Sequence, residues 1–139
     1  MNMQPRPLKG DQNLASKVFA LTGDLLRFEL DITKALGYSM DSHSFDDIVS
    51  GVLSGRYHFY VHNRAFIVAE LVQYPKHTIY NVFLAGGLME DLLEMQEMIR
   101  PAAKALGAKY AALTGRHGWV KVLKDRGWSH EYSIMYAEV

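Results

Sequence analysis

The sequence predicts a fold of the α/β (α+β) class, with a central mixed sheet and helices on both of its faces. Three patterns indicate this. Residues 11–37 carry apolar side chains at helical spacing, residues 57–84 alternate as strands do, and residues 88–113 fit a helix followed by a short strand. A strand-helix-strand crossover gives parallel strands, whereas short turns give antiparallel ones, so the order predicts a mixed sheet.

Length and composition indicate one globular domain over residues 11–139, preceded by an N-terminal arm over residues 1–10 that carries Pro5 and Pro7. The 139 residues are 49% hydrophobic and 22% charged, with a formal net charge of zero. A neutral chain has no general attraction to nucleic acid or to anionic membranes, so any charged partner would have to bind a local patch; we expect no membrane partner, and nucleic acid is not the favoured one.

Cysteine is absent, which excludes disulfides, thiolate zinc sites and cysteine nucleophiles. The N-terminus lacks the apolar core of a signal peptide, and no run approaches the ~18 apolar residues of a membrane span. We therefore expect a soluble, cytoplasmic protein.

The first predicted helix begins at Asp11 and ends near Gly37. Gly23 weakens its middle and marks a candidate break. The regular spacing also leaves open a contact with a helix of a partner or of a second copy. The apolar positions that share one face are Leu14, Val18, Leu21, Leu25, Phe28, Ile32 and Leu36.

A polar loop over residues 38–44 comes next, and Ser44 with Asp47 fits a capping box for a short helix from Phe45 to about Ser54. Two loop residues, Asp41 and His43, either line a substrate cleft or face solvent.

Three strands then form a predicted antiparallel meander over residues 57–62, 65–74 and 78–84, joined by tight turns. The last two are apolar on both faces, which predicts central positions covered on both sides.

The next predicted elements are a helix over residues 88–106 containing Pro101, a strand over 109–113 and a short helix that ends at Gly127. A final strand over residues 128–139 is predicted from the alternation of Tyr132, Ile134 and Tyr136 with smaller or polar residues.

The strand-to-helix junction at residues 78–88 is the predicted functional site. An apolar strand that ends in Gly86 and Gly87 before a helix can hold a phosphate through exposed backbone N–H groups. Glu90 and Asp91 come shortly afterwards and would oppose an anion by like charge.

The order of elements resembles the GNAT superfamily of acyl-CoA-dependent N-acyltransferases over nearly the whole chain. Two local likenesses support it: Ala85-Gly86-Gly87 after the central strand, and residues 116–128, where a short helix is closed by a glycine and an aromatic residue. The resemblance implies acetyl-CoA as donor and an amine as acceptor. It also implies contacts to acetyl-CoA from Leu84, Ala85, Gly86, Gly87, Leu88, Arg116 and Lys121, with the backbone N–H near Leu84 facing the thioester oxygen.

The chain departs from the family pattern at three points. No arginine or glutamine opens the pyrophosphate motif, Arg116 stands where an asparagine is usual, and Leu123 stands where a tyrosine often acts as general acid. Tyr132, His117 or water would then have to donate that proton, and we take Tyr132 as the candidate.

Glu70, among apolar neighbours in a central strand, is the candidate general base, and the alternative is a paired structural carboxylate. His58 and His62 lie four apart in a strand, roughly 13 Å from each other, so they predict no metal site. A basic cluster near the C-terminal helix could contact CoA phosphate, nucleic acid or an acidic protein, or could be solvated: Lys109, Arg116, His117, Lys121, Lys124 and Arg126.

Two hypotheses remain. The chain is either an active GNAT-like N-acetyltransferase or an inactive GNAT-fold protein with a binding or structural role, for example a component of a phage particle or another assembly. Whether it is an enzyme stays open at this point. The second hypothesis predicts self-association or a protein partner.

Overall fold

The computed structural model of the protein describes residues 10–139, with side chains from Leu14 onward. It confirms the predicted fold class of helices with a mixed sheet. The helices are α1 (Gly10–Arg27), α2 (Glu29–Gly37), α3 (Phe45–Leu53), α4 (Met89–Ala105) and α5 (Gly118–Leu123), the last continued by a 3-10 turn (Lys124–Arg126). The strands are β1 (His58–His62), β2 (Ala65–Gln73), β3 (Thr78–Gly87) and β4 (Tyr110–Leu113).

The sheet has the strand order β1-β2-β3-β4. The first three strands form the predicted antiparallel meander, and β4 pairs parallel to β3 after the α4 crossover. Two apolar clusters cover its two faces. Phe66, Val68 and Leu84 pack against α1, α2 and α3 on one face, called the α1–α3 face. Ile67, Tyr80 and Val82 pack with α4 on the other, called the α4 face.

The first predicted helix is divided at Phe28 and not at Gly23, which lies inside α1. Phe28 is buried, its φ is −101° and its ψ is 14°, and its ring meets those of Phe59 and Phe66. The division therefore occurs where the chain packs onto the sheet. The predicted face is buried from Leu25 onward, whereas Leu14 and Val18 are exposed, so the first positions of that face do not join the core.

The capping box at the start of α3 is confirmed. The N–H of Asp47 donates to Ser44 Oγ at 3.1 Å, and the N–H of Ser44 donates to Asp47 Oδ2 at 2.9 Å. These contacts satisfy two backbone donors at the helix start. The hydrogen bond from the Ser44 N–H, and after it the Ser44 hydroxyl, hold the pKa of Asp47 below its ordinary value.

The predicted final strand over residues 128–139 is wrong, because the structure gives this segment no strand pairing. Trp128 packs on α4, where its Nε1–H donates to Gln96 Oε1 at 3.0 Å, and Arg100 donates to the carbonyls of Arg126 and Gly127. Residues 129–139 are exposed. Alternation alone describes an amphipathic segment, and a strand also needs a neighbouring strand with which to pair.

The predicted N-terminal arm over residues 1–10 lies outside the described residues except for Gly10, which begins α1. Among the helices of residues 10–139, none is long and apolar enough to cross a membrane.

Candidate active site

Strand β3 contains a β-bulge at Phe83. Val82 pairs with Ala69 and Leu84 pairs with Val68, so Phe83 has no partner on β2. The bulge also switches the faces of the sheet: Val82 packs on the α4 face, whereas Phe83 and Leu84 both pack on the α1–α3 face. An inserted residue disrupts the ladder locally and redirects the side chains after it, and such bulges are common beside active sites.

The pairing between β3 and β4 ends at the same level. Its last pair is Val82 with Leu113, after which the N–H of Thr114 donates to the carbonyl of Val82 at 2.9 Å. Thr114 Oγ1 also donates to Asn81 Oδ1 at 2.9 Å. Residues 83–87 therefore pair with β2 alone, and we call the edge of β3 that β4 leaves unpaired the opening.

Aromatic side chains meet Phe83 on the α1–α3 face. The Phe83 ring lies 5.0 Å from the ring of Tyr57 and 5.5 Å from that of His43, measured between centroids. His43 Nε2 and Tyr57 Oη are 3.1 Å apart, and His43 Nδ1 lies 2.7 Å from Ser42 Oγ. Both ring nitrogens of this half-buried histidine are thus held beside the bulge.

The loop after α2 also meets the loop after β4. The Arg116 guanidinium lies over the ring of Tyr38, with its Cζ 3.9 Å from the centroid. A cation over an aromatic face is a favourable contact. Because Phe83 and Arg116 both contact the segment over residues 38–57, this segment borders the opening between β3 and β4. Of its two candidate cleft residues, His43 packs inward and Asp41 is exposed.

Gly86 and Gly87 lie inside β3, opposite Phe66 and Ala65, and only Leu88 separates them from α4. A Cβ on Gly86 would lie 2.7 Å from Phe66 Cε1, and one on Gly87 would overlap the carbonyl oxygen of Arg64. Gly87 also has a φ of +104°, which other residues rarely adopt. The close approach of β2 therefore accounts for both glycines, and their role as a phosphate site stays a prediction.

The N-terminus of α4 is occupied by carboxylates. Asp91 is buried, and its Oδ2 accepts the N–H of Arg64 at 3.1 Å. Glu94 Oε1 lies 2.8 Å from His62 Nε2. The side-chain atoms of His62, Asp91 and Glu94 that could bind a metal ion lie within 4.8 Å of one another. Because all three are already hydrogen-bonded within the protein, we read them as the connection between the β1–β2 turn and α4.

The predicted base, Glu70, lies within the sheet, whereas the predicted acid, Tyr132, lies in the exposed C-terminal segment. Glu70 is on β2 opposite Asn81, its side chain is 25% exposed, and its Oε2 is 3.8 Å from Arg56 Nε. Asn81 accepts a hydrogen bond from Thr114. Glu70 therefore lies beside the last residues of β3 that pair with β4, just before the unpaired edge begins. Tyr132 is 76% exposed in the C-terminal segment, outside both apolar clusters.

Sequence reasoning missed the grouping of Tyr57 with His43 and Phe83. The sequence singled out His43 as a loop residue and Phe83 as an apolar strand residue. Their contact with Tyr57 depends on the bulge and on the packing of α3, neither of which leaves a local pattern. Of the predicted cations, Arg116 meets Tyr38, and Lys121 is exposed on α5.

Comparison with known proteins gives similarities of structure only. No family model and no curated protein matches the sequence. Among solved structures, TTHA1254 from Thermus thermophilus is similar with a TM-score of 0.55 and 15% identity, over 81% of this chain and 91% of that one. A possible acetyltransferase from Clostridium difficile 630 is similar with a TM-score of 0.59 and 13% identity, over 84% of this chain and 92% of that one. At these identities the similarity shows a shared fold.

Proposed function

We propose that the protein is a GNAT-like N-acetyltransferase that transfers an acetyl group from acetyl-CoA to an amine. One observation carries the proposal: the bulge at Phe83 lies at the level where β4 stops pairing with β3. This leaves one edge of β3 open beside a strand-to-helix junction. The shared fold with a possible acetyltransferase supports the same activity.

Acetyl-CoA would supply an acyl group activated as a thioester. When an amine attacks, the carbonyl oxygen gains negative charge, and a fixed backbone N–H near Leu84 would stabilise that charge. Backbone donors suit this role because the strand already holds them in position. Residues 83–87 have the required open edge.

The attacking amine must lose a proton, for which Glu70 is the proposed base. Its partial burial and its level just below the opening support this role. His43 is the competing base because its ring contacts the bulge residue itself. The departing CoA thiolate takes a different proton, for which Tyr132 stays the proposed donor, and Glu70 and Tyr132 then regain their starting protonation states by exchange with solvent.

The two ends of acetyl-CoA meet different surroundings. The acyl end would lie at the opening beside Phe83 and Ala85. The pyrophosphate would meet Gly86, Gly87 and Leu88, next to the carboxylates of Glu90, Asp91 and Glu94. Arg116 and Lys121 could offset part of that repulsion from the far side of the opening. We therefore expect weak binding of acetyl-CoA, and we assign no catalytic step to the pyrophosphate end.

A second candidate function is that of a binding or structural protein without catalysis, for example in a phage particle or another assembly. Asp91 favours it, because this buried carboxylate already compensates the positive end of α4. A pyrophosphate there would have to compete with a charge that the protein itself supplies.

Calorimetry with acetyl-CoA separates the two functions. An enzyme should bind acetyl-CoA at or below millimolar concentration, and Lys121→Glu should weaken binding several-fold. Lys34→Glu, at an exposed position of α2, is the matched control and should not change it. Absence of binding at millimolar acetyl-CoA would exclude the enzyme.

The base is tested by release of CoA thiol with a panel of amines. Glu70→Gln should lower turnover at least about tenfold, within the range of general acid–base catalysis, without changing the Kd for acetyl-CoA. The same loss in His43→Gln, with full activity in Glu70→Gln, would assign the base to His43.

A further inference from the structure

Helix α1 carries an apolar surface that faces away from the core. Its exposed side chains are Leu14 (63%), Val18 (40%), Phe19 (82%) and Leu26 (58%), and Leu30 (85%) extends it into α2. With Thr22 between them, these six residues are called the α1 stripe. It covers on the order of 500 Å², a size at which exposed apolar patches mark interaction sites.

The geometry of α1 explains why the stripe is exposed. Leu14, Val18, Thr22 and Leu26 are spaced by four residues, and each step of four turns about 40° further around a helix of 3.6 residues per turn. The row therefore begins beside the core-facing positions Leu21 and Leu25 and then winds outward. Among residues 14–139, no side chain buries Phe19, Leu26 or Leu30.

We propose that a second copy of this chain packs on the α1 stripe, with the two α1 helices antiparallel about a two-fold axis near Thr22. In that arrangement Val18 of one copy lies opposite Leu26 of the other, and the two Thr22 residues meet. Each stripe thus contacts the identical stripe of the other copy, as a two-fold interface requires.

Local packing rules support this contact. Rows of residues spaced by four form ridges, and the interlocking of two such ridges gives the commonest helix crossing, at about −50°. Gly23 lies one helical turn from Phe19 and Leu26, at the side of the stripe, and a Cβ placed on it would meet nothing within 4 Å. The missing side chain lets a second helix approach closely on this side of the stripe.

Area and charge favour a second copy over a charged ligand. Two stripes together would bury on the order of 1,000 Å², which is the lower bound for a specific protein interface. None of the six residues is charged, so the surface offers nothing to nucleic acid or to an anionic small molecule. The proposal is independent of acetyl transfer.

Sedimentation equilibrium of the full chain at about 1–100 μM tests the proposal and should show a monomer–dimer equilibrium. The double variant Phe19→Glu, Leu26→Glu should weaken association at least about tenfold, because each change places a charge in an apolar contact. Leu106→Glu is the matched control: it is 42% exposed beyond the end of α4 and should leave association unchanged. A monomer at 100 μM, or a dimer that the double variant does not weaken, would overturn the proposal.

A cross-link tests the antiparallel arrangement in a chain that has no cysteine. Thr22→Cys should give a disulfide-linked dimer on mild oxidation, because residues on the axis of such a pair lie close enough to be bridged. Ser50→Cys, at an exposed position of α3, is the control and should remain reduced much longer. Equal rates for the two variants would exclude a two-fold axis at Thr22.

Discussion

The two halves of β3 differ in how many neighbours they have. Residues 78–82 pair with β2 on one edge and with β4 on the other, and Tyr80 and Val82 within them are 1% exposed. Residues 83–87 pair with β2 alone. The first half is thus part of a closed sheet, and the second half keeps one edge for contacts outside the sheet.

A single inserted residue accounts for this difference. Phe83 shifts the register, so the side chains after it face opposite to the direction that strict alternation predicts. The apolar residues before the bulge pack within the fully paired part of the sheet, whereas those after it, buried Leu84 among them, lie along its unpaired edge. Stability should therefore depend strongly on both halves, whereas ligand affinity should depend only on the second.

The largest expected effect is at the end of the second half. Gly87→Ala should lower the free energy of unfolding by about 2–4 kcal/mol, because its φ of +104° is strained for alanine and the new Cβ overlaps the Arg64 carbonyl. Urea unfolding measures this change. Gly37→Ala, at the end of α2 with open space around it, should instead stabilise the protein by about 0.5–1 kcal/mol. A neutral Gly87→Ala would show that the second half is loosely held.

Tyr80 provides the corresponding test of the closed half. Its hydroxyl lies 2.7 Å from His58 Nδ1 and 2.9 Å from Tyr60 Oη, in a partly buried network on the α4 face. Tyr80→Phe leaves two polar partners short of a hydrogen bond and should cost about 1–2 kcal/mol in urea unfolding. Tyr110→Phe, at a 51% exposed position of β4, should cost less than about 0.5 kcal/mol. Equal costs for the two variants would mean that the network is not closed to water.

The pH dependence of stability is a second test of the burial of Tyr80. Burial raises the pKa of Tyr80 above its ordinary value of 10.0, and the hydrogen bond with Tyr60 raises it further. Above pH 10 the unfolded chain releases this proton and the folded chain retains it, so the free energy of unfolding should fall with rising pH. The slope approaches about 1.4 kcal/mol per pH unit only well above pH 10, so the loss between pH 9 and 11 totals about 1.4 kcal/mol. Urea unfolding over this range should show this loss, and Tyr80→Phe should be less steep. Equal slopes would contradict the raised pKa.

The sequence predicted those parts of the molecule that depend on local chemistry. The capping box of Ser44 and Asp47 needs only four residues, and the alternation before Val82 is a direct consequence of strand geometry. The division at Phe28, the bulge at Phe83 and the contact of Asp91 with the Arg64 N–H each depend on residues distant in the chain. The segment after Trp128 shows the reverse, since a strand pattern is present there and the pairing is not.

The smallest expected effect is at the start of α4, where a charge that stabilises the helix would repel a pyrophosphate. Glu90 is exposed in the first helical turn, where its charge complements the helix dipole, so Glu90→Gln should lower the free energy of unfolding by about 0.3–1 kcal/mol. If acetyl-CoA places its pyrophosphate there, the same variant should bind it about two- to five-fold more tightly, because one repelling charge is removed. Calorimetry and urea unfolding would measure the two effects, with Glu29→Gln at the start of α2 as a control that changes stability alone. A loss of stability with unchanged affinity would place the pyrophosphate away from α4 and would leave the open edge of β3 as the only contact between this junction and acetyl-CoA.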